Sequence, residues 1–187
     1  MAKHRKKLRG LGTLFLIILL LLSILNWDKL SILVQETPYQ EIIEQQAELY
    51  NLPPDLLAAL IKTESNFYPE ALSSPGARGL MQIMPETGAW IANKSGLGGF
   101  TAERLYEPEY NIQLGSWYLG YLQDEFDHNL NLALAAYNGG KANVEQWLEH
   151  GIWDGSRENL EYIPYQETRR FVEKIYLYQS LYRFHWS

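Results

Sequence analysis

The sequence predicts a mostly α-helical domain carried behind one membrane-spanning helix. Three observations predict it: apolar side chains recur at helical spacing through most of residues 40–182, no run of alternating β-branched residues interrupts them, and an uncharged apolar stretch precedes them all. Strand structure is confined to, at most, a short hairpin in the Gly- and Pro-containing stretch Ser73 to Met84.

Residues 1–9 hold Lys3, Arg5, Lys6, Lys7 and Arg9, and every Asp and Glu lies at Asp28 or later. Behind that basic cluster, "LGTLFLIILLLLSIL" (Leu11 to Leu25) carries no charge. Gly10, Asn26 and Trp27 extend it toward the roughly 20 residues a span needs. No A-x-A-like cleavage site follows, so residues 10–27 read as an uncleaved signal anchor. The positive-inside rule puts residues 1–9 in the cytoplasm and the chain from about residue 28 outside the cell membrane. Residues 28–37 form a linker, and residues 38–187 the folded domain.

Within that domain "YQEIIEQQAELYNLPP" sets Ile42, Ile43, Ala47 and Tyr50 on one helical face. "NLPPDLLAALIKTES" starts at prolines, repeats Leu56, Leu57, Leu60 and Ile61, and ends near Asn66. Pro85 to Gly96 reads as a helix stopped by its glycine. A long stripe of Ile112, Trp117, Tyr118, Tyr121, Leu122 and Phe126 follows. "NLALAAY" and "NVEQWLEH" are shorter helices separated by "NGG", and Phe171, Val172, Ile175, Tyr178 and Leu181 mark the last one.

Composition narrows the function classes. Residues 10–187 hold 11 basic and 22 acidic residues, a formal charge of −11 that repels a phosphate backbone and argues against nucleic acid as a partner. The 13 Tyr and 6 Trp suit a domain that binds something with flat faces. Without Cys there is neither a disulfide nor a thiol nucleophile. The four His lack metal-ligand spacing, and no H-E-x-x-H, G-x-S-x-G or G-x-G-x-x-G occurs. No metal or cofactor is predicted.

One carboxyl stands out. Glu64 lies four residues after Leu60 and seven after Leu57, so it extends the apolar face of its helix. Burial there, and the nearby helix C-terminus, both disfavour its anion and raise its pKa toward that of a general acid. Its position alone fits better a partly exposed helix-end Glu with its stem packed on Leu60. The loop that follows, with Gln82 and Met84 between Gly79 and Pro85, favours the acid.

Glu64-Ser65, Phe67, Pro69, Ala71, Ser73, Gly76-Ala77, "GLMQIMP" (Gly79 to Pro85) and Thr87 form the first of four ordered blocks. Pro108, Asn111-Ile112 and Gly115 form the second, "ALAAYNGG" (Ala133 to Gly140) the third and "IPYQETRRFV" (Ile163 to Val172) the fourth. Together they resemble the lytic transglycosylase domain of soluble and membrane-bound murein-cleaving enzymes, whose fold is similar to goose-type lysozyme. The resemblance implies a lysozyme-like helical domain that acts on peptidoglycan glycan strands. It makes Glu64 the single catalytic acid/base, sets Ser73, Gln82 and Met84 along the groove, turns Tyr137 and Asn138 toward the cleavage site, and puts Glu167 on the groove floor.

Without the resemblance, Tyr137 equally reads as a buried helix-end aromatic, Met84 as a core residue, and Gln82 as a hydrogen-bonding brace of its loop. The chain departs from the family at Gly139, where Ala is common, and at Lys141, where Pro is common. Both affect the turn after Tyr137. The implied reaction cleaves the β-1,4 bond between N-acetylmuramic acid and N-acetylglucosamine and leaves a 1,6-anhydro end. Two alternatives stay open: a muramidase using water at the same bond, and a weakly active peptidoglycan-binding scaffold.

Overall fold

Prolines begin the helices that frame the domain, and left-handed residues end two of them. The computed structural model describes residues 16–26 and 36–186. From Thr37 onward the chain forms one compact unit. It contains α1 (Gln40–Leu49), α2 (Pro54–Ser65), α3 (Pro85–Ser95), α4 (Pro108–Glu125), α5 (Leu130–Gly139), α6 (Lys141–Glu149) and α7 (Gln166–Tyr182). Pro54, Pro85 and Pro108 occupy the first turn of α2, α3 and α4, where the missing N–H leaves no helical bond unmade. Asn66 after α2 and Gly96 after α3 adopt left-handed backbone and stop their helices.

The core is organised around α2. Leu56, Leu57, Ala58, Ala59, Leu60 and Ile61 are all fully buried, so this helix is apolar around its whole circumference. It packs along α7, with α1 on another side, while α5 sits among α4, α6 and α7. On α1 the buried residues are Ile43, Gln46 and Ala47, a spacing of three and four that turns Ile42 and Tyr50 to the margin.

The stripe predicted on α4 is buried only in part. Ile112, Leu122 and Phe126 are in the core, and so are Leu114 and Leu119, whereas Trp117, Tyr118 and Tyr121 are half-buried. Contact with α1, α3 and α5 at once gives α4 several buried faces, and the large aromatics gather at its rim around Trp90 of α3.

No strand forms among the described residues. The stretch Ser73 to Met84 and its neighbour Leu72 make only two isolated antiparallel bridges, Leu72 with Arg78 and Arg78 with Ile83. Described by itself, residues 16–25 form an apolar helix. Among the described residues no helix is long and apolar enough to cross a membrane. The rest of the predicted span, residues 10–15 and 27, lies outside the described residues, as do residues 1–9 and most of the linker.

Candidate active site

The last turn of α2 presents Glu64, and two devices fix where that turn ends. Asn66 (φ 53°, ψ 36°) and Phe67 (φ 62°) both take left-handed backbone and turn the chain sharply away. The Ser65 hydroxyl donates to Leu80 O at 2.8 Å, tying the helix end to the segment that returns beside it. The pair "ES" is therefore an acid with its own tether.

That returning segment is held from behind by Asn111 of α4, which is fully buried. Its Nδ2 donates to Leu105 O (2.7 Å) and Arg78 O (3.0 Å), and its Oδ1 accepts from Met81 N–H (2.7 Å). One amide thus serves three backbone groups, Arg78 O accepting from Ile83 N–H as well. Gly79, at φ +76°, comes so close to this cluster that a Cβ would lie 2.0 Å from Leu105 O and 2.4 Å from Asn111 Nδ2. Met81 is fully buried and fills the notch left by Gly115 on α4.

Gln82 follows at φ +48°, an uncommon backbone for a residue with a side chain. Its Nε2 donates to Gly79 O (2.9 Å) and Ala71 O (3.2 Å), which braces the turn and leaves Oε1 as the acceptor it can offer a ligand. Ser73 shapes the start of the segment: its Oγ accepts from Ala77 N–H and its own N–H donates to Ala77 O, both at 2.9 Å.

Opposite this segment, α5 and α7 meet. The Thr168 hydroxyl, buried on α7, donates to Asn138 Oδ1 at 2.8 Å, which orients the Asn138 amide so that its NH₂ stays free for other partners. Gly139 makes room for that contact, since a Cβ there would lie 3.0 Å from Thr168 Oγ1. Lys141, the second departure from the family pattern, pairs with Glu125 of α4 and reaches Glu145 at 3.5 Å, and so secures the start of α6.

Glu64, Ser73, Gln82, Asn138 and Glu167 line one cleft of about 570 Å³. Two residues singled out from the sequence lie off its lining. Tyr137 sits beneath, its hydroxyl donating to Met81 O (3.0 Å) and its ring stacked at 6.5 Å on Phe171, which does line the cleft. Met84 precedes α3 and is half-buried. The sequence reading missed Thr63, Gln166, Arg170, Phe171 and Lys174, which complete the lining. Helical spacing from Glu167 was the signal that could have found three of them, because residues 170, 171 and 174 share its face of α7.

Burial pushes the Glu64 carboxyl from 4.5 up to about 8, and the negative charge of Glu167 adds to the shift. The second push comes from that facing carboxylate, a cause the sequence reading did not name. Burial, together with the charge of Glu64, holds the Tyr137 phenol well above its ordinary value, so it remains a neutral donor. The result is an acid that keeps its proton at neutral pH, at the edge of an open cleft that offers amide and hydroxyl partners. Among the described residues no cluster of His, Asp and Glu is arranged to hold a metal ion.

Comparison with known proteins bears on the family and the fold. Residues 41–159 match the family model described as the transglycosylase SLT domain. The soluble lytic murein transglycosylase of Escherichia coli (strain K12) is 32% identical over 148 residues, covering 78% of this chain and 23% of that protein. The membrane-bound lytic murein transglycosylase C of Haemophilus influenzae (strain PittEE) is 33% identical over 152 residues, 76% of this chain and 40% of that protein. Among solved structures, an inactive mutant of the lytic transglycosylase Slt from Pseudomonas aeruginosa superposes with a TM-score of 0.73 at 33% identity, covering 78% of this chain and 24% of that one. The chain thus spans under half the length of these relatives.

Proposed function

The chain belongs to the transglycosylase SLT domain family, and on that premise we propose that residues 38–187 are the catalytic domain of a peptidoglycan lytic transglycosylase with Glu64 as its acid and then its base. The observation that carries the reading is a carboxyl raised to about 8 that opens onto a cleft with Ser73, Gln82, Asn138 and Glu167. Such a group is protonated before reaction and, once ionised, is basic enough to recover a proton.

The steps follow from that single group. Glu64 gives its proton to the oxygen linking N-acetylmuramic acid to N-acetylglucosamine, and the bond from that oxygen to C1 breaks. The substrate's own N-acetyl oxygen supports C1. Glu64, now a carboxylate, takes the proton of the muramic C6 hydroxyl as O6 bonds to C1, closing the 1,6-anhydro ring without consuming water. Holding that hydroxyl within the same residue supplies the advantage of a tethered nucleophile. Gln82 Oε1 and the Asn138 NH₂ suit the hydroxyl and acetamido groups of the sugars. Met84 and Tyr137 act from outside the lining, Tyr137 by bracing Met81 beneath the acid.

Residues 10–27 anchor this domain to the membrane, with the cleft on the extracytoplasmic side. Support comes from the uncharged run Leu11 to Leu25 behind the basic cluster, and from leucines and isoleucines of the helix at 16–25 that are 44–75% exposed. Cell fractionation tests this; recovery of a shortened soluble form would make the segment a cleaved signal.

Mass spectrometry of the products from digested sacculi tests the reaction. Muramic ends with the mass deficit of an anhydro ring are expected, and ordinary reducing ends would establish hydrolysis. The hydrolytic reading has one observation in its favour, a second carboxyl, Glu167, in the same cleft. An in vivo phenotype left unchanged by Glu64→Gln would instead favour a scaffold, and loss of wall-lytic activity in that variant the enzyme.

A further inference from the structure

Basic residues are scarce in this domain and unevenly placed. From Thr37 onward there are 10 against 20 acidic ones, yet Arg169, Arg170 and Lys174 fall within six residues of α7. Lys62 of α2 lies over the ring of Tyr178, one turn beyond Lys174 on the same helix, at 5.9 Å. Four other cations meet carboxylates, Arg78 with Glu103, Arg104 with Glu107, Lys141 with Glu125 and Arg183 with Asp55, and Arg157 lies over the ring of Tyr176. Arg169 donates to Ile163 O. Among the described residues, Arg170 and Lys174 form no ion pair, although Glu167 stands three residues before Arg170 on the same face.

Both unpaired cations are exposed and both line the cleft that holds Glu64. Glu64 keeps its proton below about pH 8, so the charged groups of the lining are two cations and the Glu167 carboxylate. The cleft is thus locally positive in an acidic domain, a pattern that draws in an anion. Each muramic residue carries a lactyl ether whose carboxyl is either free or linked to a stem peptide with carboxylates of its own. Arginine offers a fork that fits a carboxylate, and lysine four residues on offers a second point charge.

Resting on the reading of this site as a peptidoglycan-cleaving cleft, we propose that Arg170 and Lys174 form a subsite for carboxylate groups carried by the glycan strand. It acts on affinity and on which stretch of strand is seated, not on proton transfer. The domain therefore selects strands that retain acidic substituents close to the bond presented to Glu64.

Binding to the full-length chain in detergent, made inactive by Glu64→Gln so that no strand is cut, tests this apart from the reaction. The probes are peptide-bearing strands, strands stripped of stem peptides so that the lactyl carboxyls are free, and peptide-bearing strands with every carboxyl converted to its amide. Adding Arg170→Gln and Lys174→Gln is expected to weaken binding of carboxylate-bearing strands about five- to tenfold and to flatten its salt dependence. Neutralised strands should bind the parent chain about as weakly as carboxylate-bearing strands bind the doubly substituted one. Loss on stripped strands alone assigns the lactyl carboxylate, loss on peptide-bearing strands alone assigns the stem peptide, and loss on both assigns a subsite that accepts either carboxylate. Arg170→Lys should keep most of the affinity. Unchanged affinity, or an equal loss on neutralised strands, overturns the subsite. A parent chain that binds none of the three overturns the functional reading along with it.

Discussion

On one wall of the cleft, residues 72–83 are fixed by side-chain hydrogen bonds: Asn111 behind Met81, Ser65 at Leu80, Tyr137 at Met81, and Gln82 folded back on Gly79 and Ala71. On the other, Gln166, Glu167, Arg170 and Lys174 stand on the exposed side of a helix that is held by Phe171, Val172 and Ile175 beneath them. The first wall is irregular backbone, and each unusual dihedral or close approach demands a particular residue. The second is regular helix, whose shape tolerates almost any exposed side chain. The difference separates residues that make the cleft exist from residues that decide what enters it.

Substitutions sharpen that contrast. The largest effect is expected at Glu64, where Glu64→Gln should reduce turnover of sacculi by about 10³–10⁴-fold. Its signature is in pH. The acid form that starts the reaction is lost as pH rises through about 8, so wild-type activity should fall above that point. Because the folded pKa is raised above the unfolded one, the stability linked to this proton is complete below pH 4.5 and is lost as pH climbs toward 8. Glu64→Gln should accordingly unfold at a higher temperature than wild type near pH 8, by about 4 kcal/mol of stability, and should match it near pH 4. A variant that loses activity without gaining stability at alkaline pH would break the account of Glu64 as a desolvated acid.

Gly79→Ala comes next. Its Cβ would overlap Leu105 O in a backbone region disfavoured for alanine, so chemical denaturation should show a loss of about 3–4 kcal/mol. A matched change on the other wall, Gln166→Ala, should stay within roughly 0.5 kcal/mol. Equal losses would erase the distinction between the walls. Smaller again is Tyr137→Phe, which leaves Met81 O without its donor and should cost about 1–2 kcal/mol in thermal unfolding. The smallest effect is expected from Thr168→Val, which releases Asn138 Oδ1; a rise in KM of about threefold, restored by Thr168→Ser, should separate orientation of the amide from packing.

The same contrast explains what the sequence made legible. Two helix starts were readable because Pro54 and Pro85 have few other roles in a helical chain, and Glu64 was readable because a charge on an apolar face conflicts with its surroundings. Gln82 was visible as special, although its two uses, bracing a left-handed turn and facing the cleft, depend on contacts that no spacing encodes. Asn111 could be quoted in a motif, but its three backbone partners lie 6 to 33 residues away. Arg170 and Lys174 look like any exposed helix charges until α7 is set against α2. The aromatic stripe on α4 failed in part because a helix with three neighbours has no single buried face.

The hydrogen bonds that pin residues 72–83 also bear on how the protein can change. With Asn111 bonded to Arg78 O and Met81 N–H, Ser65 to Leu80 O and Tyr137 to Met81 O, the segment has no slack, and inserting or deleting a residue shifts every bond at once. New preferences have to arise on the α7 side, where side chains can be exchanged one at a time without disturbing a fold that remains common property. A library randomised at residues 166, 170 and 174 should return folded variants with altered choice of strand, while one randomised across 79–82 should return mostly insoluble chain. The cleft thus joins an inherited half to an adaptable one.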